Sequence, residues 1–149
     1  MPTPLPDTPI EPVTLARLEE ILVMEGIEFA TDDNVLRTGL GNCAIAVTID
    51  GDYLICDSLW RGEMPGQRGA ELIVVANQWN STRPGPVLRI LERGGGILMA
   101  SAYRRQRITE GLSRNQLGAF LMSSIEAIGV ACGHLDQTFP ELVTWRYTP

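Results

Sequence analysis

The dipeptide Asp50-Gly51 separates two runs of alternating apolar and polar residues, 43–49 and 53–61, and this commits the middle of the chain to an antiparallel hairpin. Asp-Gly between alternating runs is the strongest short-range hairpin signal, because a type I′ turn needs positive φ at both loop positions. With Asp50-Gly51 as the loop, Ile49, Val47 and Ile45 lie opposite Asp52, Leu54 and Cys56. That makes one largely apolar face, with Trp60 further along it. The other face, with Thr48, Tyr53 and Asp57, is more polar, the pattern of an antiparallel sheet covered on one side.

Other elements follow from the same kind of punctuation. Thr14 is placed to cap a helix in which Leu15, Leu18 and Leu22 recur at helical spacing, Val13 packs on Leu18, and Gly26 supplies a left-handed ending followed by Ile27. Strands are predicted over 27–31 and 35–38 around an Asp32-Asp33-Asn34 turn. A loop is predicted over 62–69 and a helix over 70–80, stopped by Pro84 and Pro86. A second hairpin, 87–91 with 97–103, turns at Arg93-Gly94-Gly95-Gly96. Ser113 and Gln116 form a capping box for a long helix reaching to about Pro140. The order is α-ββββ-α-ββ-α, and hairpins without parallel crossovers predict an α+β fold, an antiparallel sheet with packed helices. Prolines at 2, 4, 6, 9 and 12 forbid regular hydrogen bonding there. The predicted organisation is therefore a flexible tail over 1–12, one domain over 13–143 and a C-terminal tail over 144–149.

A chain of 149 residues supports one hydrophobic core. Hydrophobic residues at 44% and charged residues at 20% place it among globular chains rather than disordered ones. The net charge is −6, from 18 acidic residues against 12 basic ones, all of them Arg. Such a balance opposes phosphate backbones, so no nucleic-acid partner is expected. No apolar run reaches 18 residues and the first twelve carry no cation, so neither a membrane span nor a secretory signal is expected. Three cysteines, Cys43, Cys56 and Cys132, imply no disulfide framework and fit a reducing cytoplasm, where they serve as small buried hydrophobes.

Catalytic chemistry has little to work with. The single histidine, His134, has Val130, Ala131, Gln137 and Thr138 at facing helical positions, none a carboxylate or thiol. Gly94-Gly95-Gly96 leads into a strand rather than a helix and lacks the ending of a phosphate-binding loop. Gly39-Leu40-Gly41 is an ordinary turn, and Gly129 and Gly133 fit close packing of the last helix. No His, Cys, Asp and Glu set has metal-ligand spacing. No catalytic, cofactor-binding or metal-binding residue is assigned, no cofactor is expected, and the chain reads as a non-enzyme. One basic cluster remains, Arg104, Arg105 and Arg107 beside Tyr103, and strand alternation turns Arg104 away from Tyr103 and Arg105.

Several strings, in their order and spacing, resemble the YbjN family of bacterial proteins. They are Leu15-Ala16-Arg17-Leu18-Glu19-Glu20-Ile21-Leu22, Ile49-Asp50-Gly51-Asp52, Trp60-Arg61-Gly62-Glu63, Asn77-Gln78-Trp79-Asn80, Gly111-Leu112-Ser113 and Phe139-Pro140-Glu141-Leu142. The resemblance implies a fold similar to type III secretion chaperones, which are small acidic homodimers, and a role in sensory transduction regulation with no reaction attached. It supplies no catalytic residues. The proline-rich start and the basic cluster at 103–107 depart from the family pattern. The function expected from residues and resemblance together is a homodimeric, cytoplasmic protein-binding adaptor or chaperone-like regulator. Tyr103, Arg105, Arg107, Trp60 and Trp79 are its candidate partner-binding residues. The alternative is a small-ligand sensor with a pocket between the last helix and the sheet, lined by Trp60 and Trp79.

Overall fold

The computed structural model describes residues 6–145. In chain order they form α1 (Leu15–Met24), β1 (Ala30–Asp32), β2 (Val35–Leu40), β3 (Cys43–Asp50), β4 (Tyr53–Trp60) and β5 (Met64–Pro65). After a one-turn 3-10 helix come α2 (Gly69–Thr82), β6 (Val87–Arg93), β7 (Ile97–Arg107), α3 (Arg114–Thr138) and a final 3-10 turn, Pro140–Leu142. The expected order is present with one addition: β5 lies where a loop over 62–69 was predicted, because two residues are too short to show a period. All strand pairs are antiparallel, in the order β1-β2-β3-β4-β7-β5, with β6 also paired to β7.

The first helix is bounded as its sequence requires. Thr14 Oγ1 accepts from the Arg17 amide. At the other end Gly26, at φ +70, donates to the Val23 carbonyl while Ile27 donates to that of Leu22. Those two bonds are the Schellman pair, which satisfies carbonyls the helix leaves open. At the start of α3, Ser113 and Gln116 complete both halves of the capping box. Among the described helices α3 alone has the length and apolar composition to cross a membrane. Its apolar stripe, with Leu117, Leu121, Ile128 and Leu135 buried, is packed within the core cluster that includes the sheet's inner face.

The β3–β4 turn corrects the predicted register. Asp50 pairs with Tyr53, so the loop is Gly51-Asp52, not Asp50-Gly51. Gly51 has φ +56 at the first loop position and Asp52 is not left-handed, the type II′ pattern rather than I′. Each β3 residue therefore meets a partner two positions further along: Ile49 faces Leu54 and Val47 faces Cys56. A shift of two preserves the faces, since side chains alternate with period two, so the expected apolar face survives the changed register. Type I′ geometry occurs instead between β1 and β2, where Asp33 and Asn34 both have positive φ. The first strand begins at Ala30 rather than at 27.

The inner face of the sheet carries Leu36, Cys43, Ile45, Val47, Leu54 and Cys56, all buried. The helices cover this face, α3 against β3, β4 and β7, α1 against α3, and α2 against β5 and β6. Pro6 to Pro12, read from sequence as a loose or extended tail, lies along the start of α3. Glu11 and Leu112 exchange both backbone hydrogen bonds, and the Asp7 carboxylate accepts from the Asn115 amide. Arg17 ties the segment down by donating to the carbonyls of Glu11, Pro12 and Leu112.

Candidate functional site

Among the described residues no helix lies on the outer face of the sheet. That face is set by alternation: Tyr53, Ile55, Asp57 and Leu59 of β4 are half-buried while the residues between them are buried. Ala44 and Ala46 of β3 share it, as do Val87, Arg89 and Leu91 of β6 and Tyr103, Arg105 and Arg107 of β7. Val87 is 41% exposed and Leu91 39%, so apolar side chains reach solvent here.

The basic cluster divides as predicted. Arg104 turns inward, donating to Ser123 and Ser124 Oγ of α3 at 2.9 and 3.2 Å with its guanidinium over the Phe120 ring. Tyr103, Arg105 and Arg107 stay on the outer face. Arg105 lies 4.8 Å from the centroid of Tyr53, and Arg89 lies 4.6 Å from that of Tyr103. The register pairs Tyr53 with Arg107 and Val87 with Tyr103, so both stacks are diagonal contacts, within reach of long side chains. Tyr53 and Arg89 were not singled out from sequence. Each lies on a strand other than that of its partner, and only the cross-strand register reveals the pairing.

A polar relay anchors the centre of this face. Asp57 Oδ2 accepts from Arg89 at 2.6 Å, and Oδ1 accepts from the Ser101 hydroxyl at 2.7 Å and from the Ser58 amide at 2.8 Å. Ser101 in turn accepts from Arg89 Nε at 3.3 Å and is 1% exposed, so both its capacities are used and it presents no nucleophile. The relay sits where strands β4 and β7 part. Their ladder ends at Cys56 with Arg104, and beyond it the Ser58 hydroxyl substitutes for backbone, donating to the Ala102 carbonyl at 2.6 Å and accepting from its amide at 3.2 Å. The parting leaves a depression of about 270 Å³ bordered by Arg37, Ala44, Ala46, Asp57, Leu59 and Leu91.

Trp60 and Trp79, two of the candidate partner-binding residues, are core residues. Trp60 is fully buried, its indole N–H donating to Asp136 at 2.7 Å and its ring edge-on to Trp145. Trp79 is 3% exposed, donates to the Pro86 carbonyl and packs against His134 with Arg83 above it. Burial fills the space each would need to meet a ligand. A groove between α3 and β7 does exist, but Arg104, Gln106, Leu112, Gln116, Phe120 and Ser123 line it and neither tryptophan reaches it.

The three buried thiols are shifted in different directions: the hydrogen bond with Cys132 holds the Cys43 thiol below its ordinary value, while Cys56 and Cys132 are raised. All three cysteines are buried free thiols, as expected. Burial, aided by the negative charge of Asp57, pushes the Cys56 thiol up to about 12. Cys132 is pushed well above the ordinary range by its hydrogen bond with Cys43 and by burial. No group of three or more His, Cys, Asp or Glu among the described residues is arranged to hold a metal ion.

No protein-family model matches the sequence, and no curated protein matches it. Solved structures do. YbjN from E. coli aligns with a TM-score of 0.76 over 87% of this chain and 96% of its own, at 11% identity. A chain of the HopA1–SchA chaperone–effector complex aligns with a TM-score of 0.55 over 85% of this chain and 99% of its own, at 16% identity. A chain from the complex of the Yersinia pestis type III secretion chaperone SycH with a fragment of YscM2 reaches 0.47 over 84% and 96%, at 18% identity. The expected fold class is borne out: an α+β chain with an antiparallel sheet and, among the described residues, three α-helices, similar in fold to YbjN and to a chain of the HopA1–SchA complex.

Proposed function

We propose that the chain is a non-enzymatic protein-binding adaptor, chaperone-like in fold, that receives a polypeptide partner on the outer face of its sheet. One observation carries the reading. The three described α-helices pack on one side, and the other side offers half-exposed Ile55 and Leu59, exposed Leu91 and Val87, a depression, and two tyrosine–arginine stacks. Apolar side chains beside aromatic and arginine anchors are the composition favoured at protein interfaces. The fold shared with a chain of a chaperone–effector complex supports the same direction. Tyr103, Arg105 and Arg107 are the proposed partner-binding residues retained from the sequence. The reading includes a homodimer and a cytoplasmic setting, the latter supported by three buried free thiols.

A photo-activatable residue at Leu59, on the outer face, and a second at Ile73, exposed on α2, test the adaptor reading in cells. Covalent capture of one defined polypeptide at Leu59 and not at Ile73 is expected. Capture only from Ile73, or none at either position, contradicts it. Light scattering on a size-exclusion column tests the dimer, and a monomer at tens of micromolar counts against that part.

A further inference from the structure

We propose that the segment bound on the outer face is acidic and extended, with carboxylates at alternate positions that engage Arg105 and Arg107. The inference rests on the adaptor reading above and names the chemistry of its partner. A chain whose net charge is −6 places Arg37, Arg89, Arg93, Arg105 and Arg107 on this one face. Arg89 is neutralised by Asp57 and Arg93 by Glu63. Among the described residues Arg105 and Arg107 have no ion-pair partner, and both are exposed.

Geometry narrows the occupant. Arg105 and Arg107 are two apart on β7, so their side chains leave the same face about 6.6–6.8 Å apart along the strand. That is also the repeat of side chains on one face of an extended polypeptide, so alternate carboxylates meet both cations at once. Stacking on Tyr53 fixes the Arg105 guanidinium plane but leaves its edge donors free, the arrangement suited to a bidentate carboxylate contact. Neighbouring Ile55, paired with Arg105 in the ladder, supplies an apolar surface for the methylene groups of the carboxylate side chains, while the intervening side chains point away.

Charge favours a short acidic segment over a nucleic acid. At physiological ionic strength charges more than about 8 Å away are largely screened, so a segment lying on the patch feels the two arginines. A polynucleotide extends beyond the patch onto a surface that is acidic on balance, and Asp50 and Asp57 share the face with the arginines.

Fluorescence anisotropy at physiological ionic strength tests the proposal on the full chain with three probes. These are a labelled peptide alternating Glu with Val and Thr, its Glu→Gln counterpart, and a single-stranded RNA of similar length. The Glu peptide is expected to bind at least about tenfold tighter than the Gln peptide, an advantage lost with added salt and in the Arg105→Gln/Arg107→Gln variant. Arg93→Gln leaves it unchanged, and matched thermal melts show that the double variant is folded. Equal binding of the two peptides, or no binding of either, overturns the acidic segment, while the adaptor reading still stands or falls on the Leu59 crosslink. Tighter binding of RNA than of the Glu peptide overturns the choice of ligand class. Conversion of a dimer to a monomer by the double variant assigns the face to a second copy of the chain and also overturns the proposal.

Discussion

The Tyr53 ring and the Arg105 guanidinium meet across the diagonal of the β4–β7 ladder at 4.8 Å, and Arg89 and Tyr103 repeat the relationship across β6 and β7 at 4.6 Å. The stack matters because it fixes a cation that otherwise loses side-chain entropy on binding. A double-mutant cycle with Tyr53→Leu and Arg105→Gln, followed by urea unfolding, is expected to give a coupling of about 0.5–1 kcal/mol, the range for an exposed cation–π pair. Coupling indistinguishable from zero contradicts the stack.

Gly111 has φ +84, and a Cβ there would overlap the Glu11 carbonyl that pairs with Leu112. Gly111→Ala therefore combines a left-handed backbone with the loss of a close approach. The expected cost is about 1–3 kcal/mol of stability. Gly94→Ala, with open space around it and no left-handed φ, is expected to stay within about 0.5 kcal/mol. Equal midpoints in urea for the two variants contradict this account of the N-terminal segment.

On the strand at the sheet's edge, Asn80 occupies both backbone groups of Leu88. Its side-chain amide donates to the Leu88 carbonyl at 2.7 Å and its oxygen accepts from the Leu88 amide at 2.9 Å. Unpaired backbone groups on an edge strand recruit other chains, and this clamp removes two of them. Asn80→Ala is expected to cost about 1 kcal/mol and to promote concentration-dependent association in light scattering. A variant as stable and as dispersed as the parent refutes the clamp.

Acid is expected to loosen the contact of Asp7 with the start of α3. Hydrogen bonds from the Ser113 hydroxyl and the Asn115 amide, with that of Thr8, hold the Asp7 carboxyl below its ordinary value of 3.8. A carboxyl lowered in the folded state stabilises it above the unfolded pKa, and the contribution disappears as pH falls through the folded one. Protection of the Asn115 amide in hydrogen exchange is thus expected to persist above pH 4 and to fade below the lowered value. Titration of Asp7 at 3.8 in the folded protein contradicts this.

Sequence pattern carried the helices and the faces further than the turns and the site. Thr14, Gly26, Ser113 and Gln116 act through backbone groups within a few residues of themselves, so helix ends were legible to within about two residues. The Gly51 turn was misplaced by one because a single glycine fits both the I′ and II′ patterns, and only the pairing of Asp50 with Tyr53 decides between them. Trp60 was placed on the apolar face correctly, but periodicity does not show how completely helices cover that face, and so it and Trp79 were read as available to a partner. Arg104 was separated from Arg105 by alternation alone. The partners Tyr53, Asp57 and Arg89 depend on register between distant strands, which no local pattern encodes.

Amide chemical-shift mapping of the alternating Glu peptide on isotope-labelled protein tests the central claim, that the outer sheet face receives the partner. The account predicts perturbations centred on Ala46, Ile55, Tyr103 and Arg105, lost in the Arg105→Gln/Arg107→Gln variant. Perturbations centred instead on Ile21, Met24 and Gly118, which line a groove between α1 and α3, would contradict it.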